Sequence, residues 1–227
     1  MEKIPIEKRA SNWNEVYKKK GKLQYKYDPI VEEKVIPIFS NNGVKKILDL
    51  GCGTGRHSEI LEKNGFRIVG VDISEVATNI SEEALNNSHI AFFTGDMKDI
   101  RFPDSYFDAV FCFQVIHHAK VYEIWKAFDE ITRVLKKDGI LFVSLPTKDN
   151  KHIFENCTKI EPSTYINLDC LDGMVPHHFF EEKEVEDFFK DRYEIIDNVK
   201  ADIFVEQENV SWNYYLISAK KISNFTE

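Results

Sequence analysis

The sequence lacks any long apolar segment. Hydrophobic residues make up 43% of its 227 residues, but no uninterrupted apolar run approaches the roughly 20 residues that a membrane-spanning helix needs. The first nine residues are mostly charged and do not resemble a secretory leader. We therefore expect a soluble, cytoplasmic protein with one good hydrophobic core and no membrane partner.

Paired cysteines are also missing, and the sequence has few clusters of basic residues. The four cysteines include no C-x-x-C pair, so neither a disulfide framework nor a zinc site is indicated. They are Cys52, Cys112, Cys157 and Cys170. The net charge is −8, and lysine and arginine are dispersed apart from short runs such as Lys18 to Lys20, which disfavours a polyanionic partner such as nucleic acid. A local basic groove can still exist on an acidic protein.

A glycine-rich turn follows the first predicted strand. Ile47, Leu48 and Leu50 form a short apolar run that Asp49 interrupts near its carboxyl end. Glycines follow at every second position: Gly51, Gly53 and Gly55. Without Cβ atoms, the backbone can adopt positive φ and a ligand can lie directly against it. A helix predicted from about Thr54 to Asn64 would direct its free amides at the turn, so the pattern predicts a site for an anionic group.

The spacing of these glycines separates two classes of cofactor. A dinucleotide fingerprint would place its third small residue at position 56, where this chain has Arg56. A phosphate loop is excluded because no Gly-Lys-Ser/Thr occurs. The turn instead resembles the first motif of the class I S-adenosylmethionine-dependent methyltransferases, which reads acidic-x-G-x-G-x-G. The residues that match are Asp49, Gly51, Gly53 and Gly55.

The resemblance implies S-adenosylmethionine as the cofactor, with its methionine part at the glycine turn. Asp72 follows Gly51 by about 20 residues, the spacing at which an acidic side chain binds ribose hydroxyls, although it could instead cap the helix predicted from Ser74 to Asn86. Further along, Asp96 would accept from the adenine amine and Met97 would pack on the ring, although Gly-Asp is also common in solvated turns. The residues predicted to bind the cofactor are Trp13, Tyr17, Asp49, Gly51, Cys52, Gly53, Gly55, Asp72, Ile73, Asp96, Met97, Phe113 and Gln114.

The N-terminal segment, residues 1–40, is predicted to be a helical cap. Trp13, Val16 and Tyr17 share one helix face by their spacing and could simply anchor the helix to the core. The family resemblance implies a closer role, because many members that act on small molecules begin with a W-x-x-x-Y helix that closes over the cofactor. A second helix is predicted from Asp28 to Phe39.

Strand and helix patterns alternate after the glycine turn, which indicates a parallel sheet with crossover helices. Val121 to Lys137 is predicted as a helix and Ile140 to Leu145 as the fifth strand. Strands Tyr193 to Val199 and Val210 to Ala219 have no helix between them, so they should be antiparallel neighbours. The resemblance implies an α/β fold over residues 41–227: a seven-stranded, mostly parallel sheet with helices on both faces and a reversed seventh strand between the fifth and sixth.

The end of the fourth predicted strand disfavours three reactions known in the family. Gln114 begins the stretch Gln-Val-Ile-His-His, which differs from the Asn/Asp-Pro-Pro-Tyr motif of members that methylate amino groups of nucleobases or glutamine. Cys112 follows Phe111 and not proline, unlike the nucleophile of the cytosine-carbon enzymes. The metal-dependent catechol-type members need carboxylates at this strand end, and glutamine is not one.

A connection of about 35 residues, 146–180, is predicted to form a lid or a wall of the acceptor pocket. It contains Tyr165, Asp169, Met174, His177 and His178. Two of these residues, Tyr165 and His178, are predicted to contact the acceptor, together with His118 at the end of the fourth strand.

The reaction needs a general base only if the acceptor is a neutral hydroxyl or a protonated amine. Histidines are the candidates for this base. The candidates are His117, His118, His177 and His178. Adjacent side chains point in different directions, so at most one of each pair is expected to face the pocket; a structural role is equally open. No metal site is predicted. These histidines with Cys157 or Cys170 would be suitable ligand types for zinc, but their spacing matches no zinc-binding pattern.

The sequence thus predicts methyl transfer from S-adenosylmethionine to a small-molecule acceptor. Two alternatives stay open: a non-catalytic or regulatory protein that binds S-adenosylmethionine, and a nucleotide-dependent dehydrogenase.

Overall fold

The computed structural model describes residues 6–21, 29–85, 89–150, 157–166, 175–205 and 210–222. Its helices are α1 (Ile6–Lys20), α2 (Ile36–Asn41), α3 (Arg56–Lys63), α4 (Glu75–Ala84), α5 (Val121–Val134) and α6 (Glu182–Phe189), and a π-helical turn, Val31–Val35, leads into α2. Within these ranges, every helix is too short or too polar to traverse a bilayer.

Seven strands form the main sheet, in the order β3-β2-β1-β4-β5-β10-β9. Their bounds are β1 (Lys46–Leu50), β2 (Arg67–Asp72), β3 (Ile90–Thr94), β4 (Phe107–Cys112), β5 (Leu135–Pro146), β9 (Tyr193–Val205) and β10 (Val210–Lys221). Strands β1 to β5 pair in parallel, whereas β10 is antiparallel to both β5 and β9. The predicted fold class, with its reversed strand, is confirmed.

The sheet separates two hydrophobic cores. Side chains alternate between its faces, so neighbouring residues of β1 belong to different cores. Leu48 lies in the core that α5 and α6 cover, whereas Ile47 lies in the core that α2 and α3 cover. Val31, Val35 and Phe39 are fully buried in this second core, so the segment before β1 contributes to the packing of the sheet.

The junction of α5 and β5 differs from the prediction of a helix to Lys137. The helix ends at Val134, and Leu135 already pairs with Phe107 of β4. Lys136 donates from Nζ to Asp108 at 2.6 Å, and Asp138 adopts a positive φ of 62° in an irregular start of β5. Pairing with β4 thus prevails over the helical preference of the two lysines.

The predicted lid contains a small antiparallel sheet in the order β6-β7-β8. Its strands are β6 (Thr158–Glu161), β7 (Thr164–Ile166) and β8 (His177–His178). Phe179 and Phe180, which follow β8, are fully buried in the two main cores. Asp169, Cys170 and Met174 lie outside the described residues.

Candidate cofactor and acceptor site

A cavity opens where the parallel strands β1, β2 and β4 end and α1 crosses above them. The glycine turn after β1, the ends of β2 and β3, and the loop after β4 all contribute to its wall. This location is the usual ligand site of open α/β sheets, which bind at the carboxyl ends of their strands. Eleven of the thirteen predicted cofactor residues line it: Trp13, Tyr17, Gly51, Cys52, Gly53, Asp72, Ile73, Asp96, Met97, Phe113 and Gln114.

The glycine turn depends on missing side chains. Gly51, Gly53 and Gly55 have φ values of 76°, 54° and 80°, a left-handed backbone that other residues rarely adopt. A Cβ atom on Gly51 would lie 2.1 Å from the side chain of Val115, and one on Gly53 would lie 2.8 Å from the Tyr17 hydroxyl oxygen. The turn is therefore packed against both the β4 loop and α1.

Asp49 lies beneath this turn and does not line the cavity. Asp49 is 2% exposed, and its carboxyl group accepts a hydrogen bond of 2.6 Å from Ser58 Oγ of α3. Its pKa is raised to about 7, mainly by burial; the hydrogen bond from Ser58 opposes the rise, and the negative charge of Asp72 adds to it. Gly55, the left-handed N-cap of α3, is the other predicted cofactor residue outside the cavity wall.

Asp72 joins the end of β2 to the glycine turn. Its Oδ2 accepts from the Gly53 amide at 2.9 Å, and its Oδ1 accepts from the Ser74 amide at 2.8 Å. Burial raises the pKa of Asp72. The N-cap of α4 is Ser74, whose Oγ accepts from the Ala77 amide, so Asp72 does not serve as the cap residue. Each carboxylate oxygen has a further lone pair for a ligand hydroxyl.

Asp96 belongs to a buried charge network that holds α1 in place. Arg9 Nη2 lies 3.1 Å from Asp96 Oδ2 and 3.2 Å from Glu123 Oε1. Lys98 Nζ donates to the same Glu123 oxygen at 2.6 Å. Arg9 is 3% exposed and lines the cavity. Arg9 was not among the predicted site residues, although it precedes Trp13 by four positions and so lies on the same face of α1.

Helix α1 also contacts α4. Asn14 Oδ1 accepts from Ser74 Oγ at 2.7 Å and from the Val76 amide at 3.3 Å. Trp13 and Tyr17 line the cavity beside it, with ring centroids 6.2 Å apart. The helix therefore covers the region between the glycine turn and Asp96.

The loop after β4 brings two histidines to the cavity. Gln114 adopts a positive φ of 60°, and its amide donates to Ser144 Oγ at 2.7 Å, which turns the chain over the end of β5. His117 and His118 both line the cavity, with ring centroids 4.0 Å apart. The expectation that only one of this pair would face it is wrong, because a turn does not impose the alternation of a strand.

His177 of β8 completes this group. Its ring centroid lies 4.8 Å from that of His118 and 5.8 Å from that of His117. Its Nδ1 lies 3.2 Å from the Val175 carbonyl oxygen. Burial lowers the pKa of His117 well below its usual value, and the charges of His177 and His178 lower it further. Among the described residues, His117 Nδ1 has no hydrogen-bond partner.

His178 and Tyr165, both predicted to contact the acceptor, lie outside the cavity wall. His178 Nδ1 is 2.8 Å from Thr164 Oγ1, and its Nε2 is 2.9 Å from Glu184 Oε2, so the ring is fixed between β7 and α6. The Tyr165 ring packs edge-on against Phe179 at 6.0 Å. Because neighbouring side chains of a strand point to opposite sides, His177 faces the cavity and His178 faces away from it.

Several lining residues were not predicted. Trp212 and Tyr214 come from β10, with ring centroids 5.9 Å from His177 and 6.0 Å from His117 respectively. Because β10 is reversed, its first residues lie at the edge where the parallel strands end. The predicted reversal could therefore have indicated that the start of this strand lies at the cavity. His57 of α3 also lines the cavity; burial lowers its pKa well below the usual value, and in the described part of the chain its Nε2 has no hydrogen-bond partner.

Comparison with known proteins shows which proteins this chain resembles. Residues 48–143 match a family model described as a methyltransferase domain. A putative methyltransferase of Geobacillus sp. (strain WCH70) is 31% identical over 153 residues, which are 64% of this chain and 61% of that protein. The chain therefore spans less than two thirds of that relative.

Solved structures agree with this family. A SAM-dependent methyltransferase from Methanosarcina mazei superposes with a TM-score of 0.72 at 23% identity, covering 83% of this chain and 98% of the other. A second structure is a 1,6-didemethyltoxoflavin-N1-methyltransferase of Burkholderia thailandensis with 1,6-didemethyltoxoflavin and S-adenosylhomocysteine bound. It superposes with a TM-score of 0.66 at 16% identity, covering 98% of this chain and 93% of the other. At these identities the likeness establishes the fold. With the family model, it confirms the resemblance predicted from the glycine turn.

Proposed function

We propose that this protein transfers the methyl group of S-adenosylmethionine to a small-molecule acceptor. The proposal starts from its class I S-adenosylmethionine-dependent methyltransferase domain. One observation carries the proposal. A single cavity contains the glycine turn with Asp72 and Asp96 on one side, and the histidines with Trp212 and Tyr214 on the other. A cofactor and an acceptor can thus meet in one enclosed space.

The cofactor is assigned to the side of the glycine turn. Its methionine carboxylate suits the free amides there, its ribose hydroxyls suit Asp72, and its adenine amine suits Asp96. Met97 would pack on the adenine ring, since a thioether is favourable against an aromatic face. Asp49 acts through the turn that it supports, by its hydrogen bond with Ser58 of α3.

The acceptor is assigned to the side of the β4 loop. Its wall is mainly aromatic and imidazole, which suits a small, partly apolar molecule better than a polyanion: His117, His118, His177, Trp212 and Tyr214. The Burkholderia thailandensis enzyme that shares this fold is an N1-methyltransferase of 1,6-didemethyltoxoflavin, which is bound in its structure. The reaction is an in-line displacement at the sulfonium methyl, so the protein mainly orients an acceptor lone pair and excludes water.

Two segments would close the cavity. Helix α1 is tied to Asp96 and Glu123 through Arg9. Residues 146–180 supply His177 and can cover the acceptor. We keep the predicted division into a cap, residues 1–40, and a methyltransferase domain, residues 41–227, as part of this proposal.

Calorimetric titration tests the cofactor assignment. S-adenosylmethionine and S-adenosylhomocysteine should bind and NAD should not. Asp72→Asn should weaken binding by roughly 1.5 to 3 kcal/mol, because it removes a charge-assisted acceptor. The matched control is Asp187→Asn, an exposed residue of α6, which should bind like the unaltered protein. Tight NAD binding would favour the dehydrogenase alternative.

Methyl transfer itself requires an acceptor. Incubating the protein and labelled S-adenosylmethionine with fractionated metabolite extracts should label a small molecule. Binding of the cofactor with no transfer to any fraction would favour the non-catalytic alternative.

A further inference from the structure

We infer that His117, His118 and His177 form a binding site for a divalent transition-metal ion such as Zn²⁺ on the acceptor side of the cavity. One potential ligand atom from each ring lies within 4.8 Å of the others. His117 and His118 come from the loop after β4, and His177 comes from β8, so the tertiary fold assembles the group. The site itself does not depend on the proposed methyl transfer.

The surroundings of the three rings are those of metal ligands. The Nδ1 of His177 lies within hydrogen-bond distance of the Val175 carbonyl oxygen. Donation to this oxygen selects the tautomer whose Nε2 is the metal ligand, as backbone carbonyls do for metal-binding histidines. His117 is buried, and none of the described residues pairs with its Nδ1. Leaving such a nitrogen without a partner is destabilising, and coordination of a metal ion by the cluster would offset this cost.

The ligand set selects the kind of ion. The group consists of imidazoles, and no carboxylate or thiol among the described residues joins it. Imidazole suits Zn²⁺, Cu²⁺, Fe²⁺ and Ni²⁺, whereas Mg²⁺ and Ca²⁺ require oxygen ligands. Three imidazoles leave one position of a tetrahedron open, which is the arrangement of catalytic zinc sites and not of structural ones.

The geometry needs only a small adjustment. Tetrahedral ligands about 2.0–2.1 Å from Zn²⁺ are about 3.3 Å apart. The present separations of up to 4.8 Å must therefore shrink by about 1.5 Å, which rotation of the partly exposed His118 ring can supply most readily. The open position would point into the cavity that all three rings line.

A role for the ion follows if the proposed function is right. A hydroxyl or thiol acceptor in the open position would lose its proton to solvent, since Zn²⁺ lowers the pKa of a bound O–H or S–H group. The acceptor lone pair would then form the bond to the methyl carbon. The bond from that carbon to the sulfonium would break, and its electron pair would stay on sulfur, leaving the neutral thioether S-adenosylhomocysteine.

The test uses the full chain without a polyhistidine tag, freed of metal with a chelator that is then removed. Titration with Co²⁺ should give the visible absorption of a four-coordinate ion, saturating at one ion per chain, and Zn²⁺ should abolish it. A small thiol added to the Co²⁺ protein should produce a sulfur-to-metal charge-transfer band if one position is open. Its absence would refute the open position.

Variants assign the ligands. His118→Ala and His177→Ala should each lower Co²⁺ affinity by at least the roughly 10–100-fold that loss of an outer-sphere partner costs. His89→Ala is the matched control, because this exposed histidine precedes β3 at the opposite end of the sheet; it should bind Co²⁺ like the unaltered protein. If either alanine variant fails to fold, His118→Gln and His177→Gln replace it.

The outcomes separate this inference from the proposed function. Absence of the visible absorption, or equal Co²⁺ affinity in the cavity variants and the unaltered protein, would overturn the metal site, whatever the affinity for S-adenosylhomocysteine. A protein that binds Co²⁺ through these histidines but fails to bind S-adenosylhomocysteine would keep the metal site and overturn the proposed function.

Discussion

Replacing Asp49 with asparagine should change how the stability of the ligand-free protein depends on pH. Asp49 is 2% exposed, and Ser58 donates a hydrogen bond to its carboxyl group. Burial is the main reason that its pKa rises from 3.8 to about 7, and nearby Asp72 adds to the effect. Asparagine keeps an oxygen for the Ser58 hydrogen bond but cannot ionise, so the variant isolates the cost of the buried charge.

The sign and size follow from proton linkage. Below about pH 4 the carboxyl group is protonated in both folded and unfolded chains, and its ionisation costs nothing. Between about pH 4 and 7 the folded protein retains a proton that the unfolded chain has lost, so the free energy of unfolding falls as pH rises, by up to about 1.4 kcal/mol per unit. Summed over the shift of the Asp49 pKa to about 7, this gives an upper limit of about 4 kcal/mol.

Urea unfolding at several values between pH 4.5 and 8, followed by circular dichroism, measures this difference. The free energy of unfolding of Asp49→Asn relative to the unaltered protein should increase by about 2–4 kcal/mol across the range. Any fixed cost of burying the amide cancels in this comparison. Asp187→Asn on α6 is the control and should run parallel to the unaltered protein. Parallel curves for Asp49→Asn would refute the raised pKa.

Three further predictions concern the cavity wall. Gly53→Ala should lose S-adenosylhomocysteine affinity, because its Cβ would lie 2.8 Å from the Tyr17 hydroxyl oxygen; adding Tyr17→Phe should recover part of it by calorimetry, and no recovery would refute that contact as the cause. Arg9→Met should increase hydrogen exchange in α1 and lower the same affinity several-fold, whereas unchanged exchange would show that the ion pair with Asp96 does not fix the helix. Residues 146–180 should gain protection when S-adenosylhomocysteine binds; full protection without ligand would make them fixed scaffold.

The sheet and the cofactor side of the cavity were largely predictable because local sequence determines them. The run from Asp49 to Gly55 contains a strand end, a turn of positive φ and a helix start within a few residues. Parallel strands place their carboxyl ends at one edge, so Asp72 and Asp96 had to lie near this turn. The absence of a helix between β9 and β10 also indicated the reversed strand, and the structure extends both strands beyond their predicted ends.

The errors arise where tertiary contacts decide the conformation. The α5 helix stops early because Leu135 pairs with β4. His117 and His118 face the same cavity because the positive φ of Gln114 turns the chain there, and nothing in the local sequence shows this. His178 is directed away by Glu184, a residue of the following helix.

The acceptor side of the cavity is built from parts of the chain that are far apart. The family match ends at residue 143, and it includes the glycine turn, Asp72, Asp96 and the histidines of the β4 loop. His177, Trp212 and Tyr214 lie beyond it and yet complete the wall around those histidines. We therefore propose that the matched span supplies most of the cofactor site, and that selection of the acceptor depends on β8 and the start of β10. A relative that shares only the matched span can keep the same cofactor and differ in its acceptor.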